Sequence, residues 1–434
     1  MDAFVFIIGI IIIVIAFTNK VVLRDWINPI TVFIGLWGLI LFAYSFRFYG
    51  IYQASTTSIL VTLTGLISFV AGCLLPAYLQ TKKGVISKRT SVDELSEKPN
   101  YYFLIVFNAI AILVLFASVI ETIRMLRAGF GFDYIHSYFY SEESGLRAST
   151  GMNLVRGWFL WPWTYAILPI IPVAFFADTE KTKEKKWFII TAFIVIILYV
   201  LVSGARVSLV YCLMFFALVY YIQGKRIKMN LGKKILVLTL VVLIIWVIYY
   251  ISVSRGQDIF RSAYIYFCGC VPYFSVRFEE LDSIPRMYSL FSMNGLYRLP
   301  ILAINKILRS SSLSNLKDFV TQLTESTQTR YAIGPGIGYN AFLGPFYYFY
   351  VDGGIIGVII LSLLYGYFCC SLFFAYKNNP TYKNTVIYLL VLFGLAFSMV
   401  RFQFTTVRYF LAFIYVIFGF AKLKIRFTIR KKHR

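Results

Sequence analysis

Acidic residues are scarce in this chain of 434 residues: 19 Asp and Glu stand against 42 Lys and Arg, and histidine occurs only twice. So thin a supply of carboxylate and imidazole, with no ligand spacing among them, argues against a metal centre. The six cysteines form no disulfide or zinc framework; four fall inside hydrophobic stretches, and Cys268-x-Cys270 is too short a pair for a comfortable disulfide. A nucleotide loop is also missing. Gly334-Pro335-Gly336-Ile337-Gly338 could turn backbone N–H groups toward an anion, but it has no Walker lysine and no following Ser or Thr. There is no internal repeat, low-complexity tract or heptad array. Charged residues of both signs make up only 14% of the chain, against 59% hydrophobic residues and a mean hydropathy of +0.75. A soluble protein cannot hide that much apolar surface.

What is abundant is long apolar runs. Eleven are expected to be membrane-spanning helices, at about 3–18, 30–45, 58–79, 102–120, 158–177, 187–202, 207–222, 235–253, 342–376, 385–400 and 406–422. The fold class is therefore all-α integral membrane, with residues 1–434 forming one polytopic domain. The run 342–376 is too long for a simple crossing, so a break is expected at Asp352-Gly353-Gly354. The first run follows Met1-Asp2 with no basic n-region and no small-residue cleavage site, and reads as a retained helix.

The gaps between spans differ in kind. Of 21 lysines, 19 fall in alternate gaps and the C-terminal tail, whereas 15 of 21 arginines fall in the other set. Lysine bias places its gaps in the cytoplasm, which puts the C-terminus inside and the N-terminus outside. A net charge of +23 would suggest nucleic acid in a soluble protein. Here the lysines sit beside spans, so anionic lipid headgroups are the expected neighbours and nucleic acid is not. Two external loops are large, 121–157 and 254–341. Ile284–Leu308 mixes apolar and aromatic residues with Arg286, Arg298 and Lys306, a composition suited to helices lying in the interface.

Positive-inside bias treats both cations alike and does not explain the external arginines. A guanidinium offers a planar fork of donors, stays charged when desolvated and grips phosphate oxygens in pairs. Beyond the N-terminal Asp2, the external side carries 11 carboxylates against those 15 arginines and two lysines. The excess points to a phosphate or diphosphate site at the outer boundary; headgroup contact and internal ion pairs are the plainer alternative. Arg206, Arg255, Arg330 and Arg401 are the first candidates for anion contact, followed by Arg408 and Arg277. For a general base the candidates are Glu279 and Glu280, in the densest acid cluster (Glu279-Glu280-x-Asp282), with Asp352 beside the glycine pair and His136 in an aromatic loop. A salt bridge from Asp352 to Arg401 or Arg408, and a structural His136, are the bland alternatives.

The layout resembles the Wzy-type O-antigen and oligosaccharide repeat-unit polymerases of bacteria. Carrying the resemblance are Asn28-Pro29 at the second span, Ser203-Gly204-Ala205-Arg206 before a hydrophobic helix, and Gly344-Pro345…Asp352-Gly353-Gly354…Gly357…Gly366. The two large external loops add to it. The Arg-x10-Gly pattern found in external loops of some members has no good instance here, so catalytic residues are not carried over from them. The resemblance implies joining of undecaprenyl-diphosphate-linked oligosaccharides at the outer face of the bacterial plasma membrane. The growing chain would be the donor and a hydroxyl of an incoming unit the acceptor. No metal or cofactor is expected, and a polysaccharide chain-length regulator is a second partner to consider. An O-antigen ligase and a lipid-linked oligosaccharide flippase remain as alternatives.

Overall fold

A computed structural model of the chain describes residues 2–23, 25–82, 99–131, 134–135, 138–139, 151–176, 182–203, 207–223, 259–340 and 343–420. Helices dominate. They are α1 Ala3–Leu23, α2 Pro29–Tyr44, α3 Thr56–Lys82, α4 Tyr101–Arg127, α5 Gly151–Phe176, α6 Lys183–Ser203, α7 Val207–Gln223, α8 Ile259–Cys268, α9 Cys270–Phe278, α10 Asn294–Leu308, α11 Ser311–Ser326, α12 Pro345–Asn378, α13 Tyr382–Ala396 and α14 Val407–Gly419. Ten of the eleven expected spans coincide with helices of this set; the other, 235–253, lies outside the described residues. By length and composition, α3, α4, α5, α6 and α12 can cross a membrane, and shorter apolar helices accompany them. Bare Ile, Leu and Phe side chains along α1, α4 and α12 (Ile7, Leu113 and Ile356 among them) suit contact with lipid rather than water. The protein is a largely helical membrane protein.

Local sequence sets the helix ends. Asn28 caps α2, its side-chain oxygen accepting the Thr31 N–H at 2.9 Å, with Pro29 in the first turn where no N–H is needed. Thr381 caps α13 in the same way through Asn384. Helix α4 runs past the expected end at 120 to Arg127, with Arg124 and Arg127 in its last turn facing the negative end of the helix dipole.

Small residues then bring helices together. A Cβ on Gly72 would overlap the Leu363 carbonyl, and one on Gly366 would overlap the Phe69 carbonyl. Thus α3 and α12 pack backbone to backbone, the close approach that lipid-embedded helices rely on where water gives no hydrophobic drive. Of the five long helices, α5 has the most buried apolar stretch. Its Trp163 indole donates to Asn108 of α4 at 3.0 Å, and Asn108 in turn donates to Thr191 of α6 at 3.0 Å.

The break in α12 falls where expected. Gly354 adopts φ +61 and ψ −149, a backbone conformation open essentially to glycine alone. Among the described residues, one feature departs from an all-α fold: Tyr331–Gly334 (β1) and Ile337–Tyr339 (β2) pair antiparallel. The glycine run considered above as a possible anion loop is the corner of this hairpin. Pro335 and Gly336 (φ +65) turn the chain, the positions at which a fixed φ and a positive φ are wanted. Cys268 and Cys270 are buried free thiols.

The alternating gaps sort into two groups of contacts. Lys377 pairs with Asp25, Asn378 donates to Gln80 at 3.0 Å, and the Asn100 N–H reaches the Gly419 carbonyl at 3.0 Å. Each of these contacts joins lysine-bearing gaps, or helix ends next to them. On the other side, Tyr52 N–H donates to Ile333, Ser55 N–H to Ser275 and Asn294 to Thr405. All three contacts connect arginine-bearing gaps.

Candidate functional site

The arginine-bearing end is organised around Arg277 of α9, which is 3% exposed. Its Nη1 donates to the Ser326 carbonyl and the Tyr331 hydroxyl, each at 3.1 Å. Its Nη2 donates to Ser326 Oγ and the Tyr347 hydroxyl, each at 3.1 Å. The Nε lies 3.4 Å from Glu280 Oε2, close enough for an ion pair but without hydrogen-bond geometry. One guanidinium thus ties α9, the end of α11, β1 and the first half of α12. All four of its Nη–H groups are engaged, so it is built as a keystone.

Glu280 stands at the edge of this knot with its side chain 44% exposed. It accepts the Tyr331 O–H at 2.7 Å, a bond that raises the Tyr331 phenol above the ordinary tyrosine range. Its neighbour Glu279 is exposed, and Asp282 pairs with Arg286 at 3.4 Å and accepts from Tyr350 at 3.2 Å. The acid cluster therefore divides, and Glu280 combines access with fixed partners.

Asp352, 1% exposed, ends the first half of α12. Its Oδ1 accepts the Phe291 N–H at 3.1 Å and its Oδ2 the Ser292 N–H at 2.9 Å, while its carbonyl accepts the Tyr288 N–H at 2.9 Å. The turn so held is strained. Tyr288 and Ser289 both have positive φ, +47 and +72, a conformation costing about 1–3 kcal/mol per non-glycine residue. The expected alternative of a salt bridge from Asp352 to Arg401 or Arg408 is not what these contacts form.

Arg401, 7% exposed, lines a small pocket with Phe291, Thr324, Thr327, Tyr348, Thr405 and Thr406. The cavity is about 10 Å³, room for one water, so a phosphate group reaches the guanidinium only if a wall moves. The four threonine hydroxyls of the lining already donate to the carbonyls of Val320, Thr324, Phe402 and Gln403, so the pocket's positive charge comes from Arg401. Phe291 packs on Tyr348 at a ring distance of 5.0 Å, and a Cβ on Gly295 would overlap the Thr406 carbonyl. The large loop is thereby pressed against the turn 403–406.

The other arginines are dispersed. Arg408 lies over the Tyr165 ring at 4.7 Å, and Arg330 is exposed with its guanidinium lying over Gly338 of the hairpin. Arg206, Arg255 and His136 lie outside the described residues. Of the sequence candidates, Arg277 pairs with Glu280, and Asp352 holds Phe291, which lines the pocket with Arg401.

Two arginines that sequence reasoning did not single out have well-defined settings. Arg156, 2% exposed, sits in the π-helical turn Arg156–Leu160, pairs with Glu121 and donates to Ser118 at 2.9 Å. Arg286 donates to the Tyr350 carbonyl at 3.2 Å, lies over the Tyr350 ring at 5.2 Å and stands beside Gly354. The signal for Arg156 was present in principle: one charge pair bracketing the 121–157 loop, in a chain poor in carboxylates.

An arginine-lined pocket and an accessible carboxylate at one end of an apolar helical bundle suit chemistry on an anionic, lipid-borne substrate. No curated protein and no solved structure matches the chain. The family model for the O-antigen polysaccharide polymerase Wzy matches residues 2–432, nearly the whole length, and the chain belongs to that family.

Proposed function

We propose that the protein joins undecaprenyl-diphosphate-linked oligosaccharide repeat units at the outer face of the bacterial plasma membrane. The observation that carries this reading is the family match over nearly the whole chain, taken with the pocket around Arg401. In the reaction, the bond between the anomeric carbon of the growing chain and the carrier diphosphate breaks. A hydroxyl of the incoming unit forms the new glycosidic bond, and undecaprenyl diphosphate leaves with the negative charge.

Arg401 is the residue we favour for stabilising that leaving group, because a guanidinium in a poorly hydrated pocket acts strongly on developing charge once a wall has moved to admit the diphosphate. Arg206 and Arg255 remain partners for the same role on sequence grounds. Glu280 is the base we favour for the acceptor proton. It is accessible, whereas both carboxylate oxygens of Asp352 already accept backbone N–H groups. The diphosphate-linked donor is already activated, so the scheme calls for no metal or nucleotide.

The test is the surface polysaccharide of a strain carrying Arg401→Lys. Collapse of long chains to single repeat units, with the protein still inserted, is the expected result; an unaltered ladder removes Arg401 from the reading. Accumulation of long polymer on the lipid carrier in a deletion strain would instead favour a ligase.

A further inference from the structure

We propose that Asp352 is a positioning residue for this reaction, acting through the turn 288–293 to shape the pocket around Arg401. The proposal rests on Arg401 as the diphosphate contact. Three contacts converge on one buried residue: the Asp352 carboxylate takes the N–H groups of Phe291 and Ser292, and its carbonyl takes that of Tyr288. Phe291 is itself a wall of the pocket, packed with a tilted ring against Tyr348, another wall. Two consecutive residues of the turn, Tyr288 and Ser289, hold positive φ, so the turn keeps its shape only while its anchors persist.

The sequence places this anchor at a chosen point. Asp352 immediately precedes Gly353-Gly354, where α12 breaks and where Arg286 stands against Gly354. The break exposes the end of the first half-helix, and the carboxylate there can turn toward the loop instead of continuing a regular helix. A backbone N–H is a donor only, and an ionised carboxylate accepts at both oxygens, so the match is specific. An asparagine amide nitrogen cannot accept, and one of the two N–H groups would lose its partner.

The experiment uses the full chain in lipid nanodiscs and compares Asp352→Asn with the parent. Hydrogen exchange of the 287–293 segment is measured beside turnover of undecaprenyl-diphosphate-linked repeat units across pH. The expected result is exchange at least 10-fold faster in that segment, turnover at least 10-fold lower with a raised KM, and a pH profile of unchanged shape. Lost turnover with unchanged exchange, or loss of the acid limb of the pH profile, would make Asp352 the base and overturn the proposal. Faster exchange with unchanged turnover, or no change in either, overturns it as well.

If Asp352→Asn does not fold, Ser292→Pro removes one donor and leaves the carboxylate in place; turnover must still fall, and unchanged turnover overturns the proposal. Arg401→Ala separates the two layers. Normal turnover in that variant fails the site reading itself. Lost turnover there, with Asp352→Asn unaffected, fails only the positioning role.

Discussion

Nη2 of Arg277 donates to the Tyr347 hydroxyl at 3.1 Å, linking residues 70 apart in sequence. This contact and its three companions divide the arginines of this end into two kinds. Arg277 has its Nη donors committed to oxygens of its own chain, and Arg401 is one of the residues lining a pocket. An excess of arginine is therefore partly a structural material here and partly a candidate ligand set.

Replacing Arg277 with lysine should destabilise the loop rather than merely slow the reaction. Lysine carries three donors on one nitrogen and cannot span Ser326, Tyr331 and Tyr347 together. Hydrogen bonds to charged groups contribute about 1.5–3 kcal/mol each, so a loss of about 2–3 kcal/mol is expected. A thermal melt of the purified protein in detergent reads this directly; an unchanged midpoint would show that the keystone is dispensable.

Glu280→Gln keeps an acceptor for Tyr331 but removes the base. Turnover should fall about 100-fold or more, the usual contribution of general base catalysis, with the folded yield preserved. Glu279→Gln, at an exposed neighbour, serves as the control and should stay within about twofold of the parent. Equal losses in both variants would remove Glu280 from its role.

The raised Tyr331 phenol makes a prediction about alkaline stability. A group that holds its proton more tightly when folded stabilises the fold below its unfolded pKa, about 10 for tyrosine, and loses that contribution as pH rises through the higher folded value. The bond to Glu280 causes the shift, so Tyr331→Phe should remove this part of the pH dependence. Melting midpoints from pH 8 to about 11 should fall more steeply for the parent than for Tyr331→Phe, and parallel curves would contradict the assignment.

Gly72→Val should abolish the folded protein, because the added side chain meets the Leu363 backbone, which cannot step aside. Size-exclusion profiles in detergent would record loss of the monodisperse peak. By contrast, Gly338→Ala meets only the mobile end of Arg330 and should be mild.

Much of this architecture was legible in the sequence because the bilayer imposes simple rules. Apolar runs marked ten helices now seen, and Gly353-Gly354 marked the break in α12. The Lys377 to Asp25 pair joins two of the lysine-bearing gaps. The site was legible only as residue types. Nothing local to Arg277 reveals that Ser326, Tyr331 and Tyr347 will use its donors, since those partners arrive from three other elements. The Tyr331–Tyr339 hairpin was also missed, because its strands are too short to register a period and its glycine run suits several kinds of turn. Asp352 drew notice as an ionisable group near membrane depth, yet its partners are backbone N–H groups, which no sequence pattern displays.

The most direct test of the central claim is a reaction with one substrate. The purified protein in proteoliposomes would be given undecaprenyl-diphosphate-linked repeat units and no other acceptor, and the products separated by size. The account predicts a ladder growing by one repeat unit per step, with undecaprenyl diphosphate released. Product that stays at a single repeat unit, whether untouched or only moved across the bilayer, would contradict it.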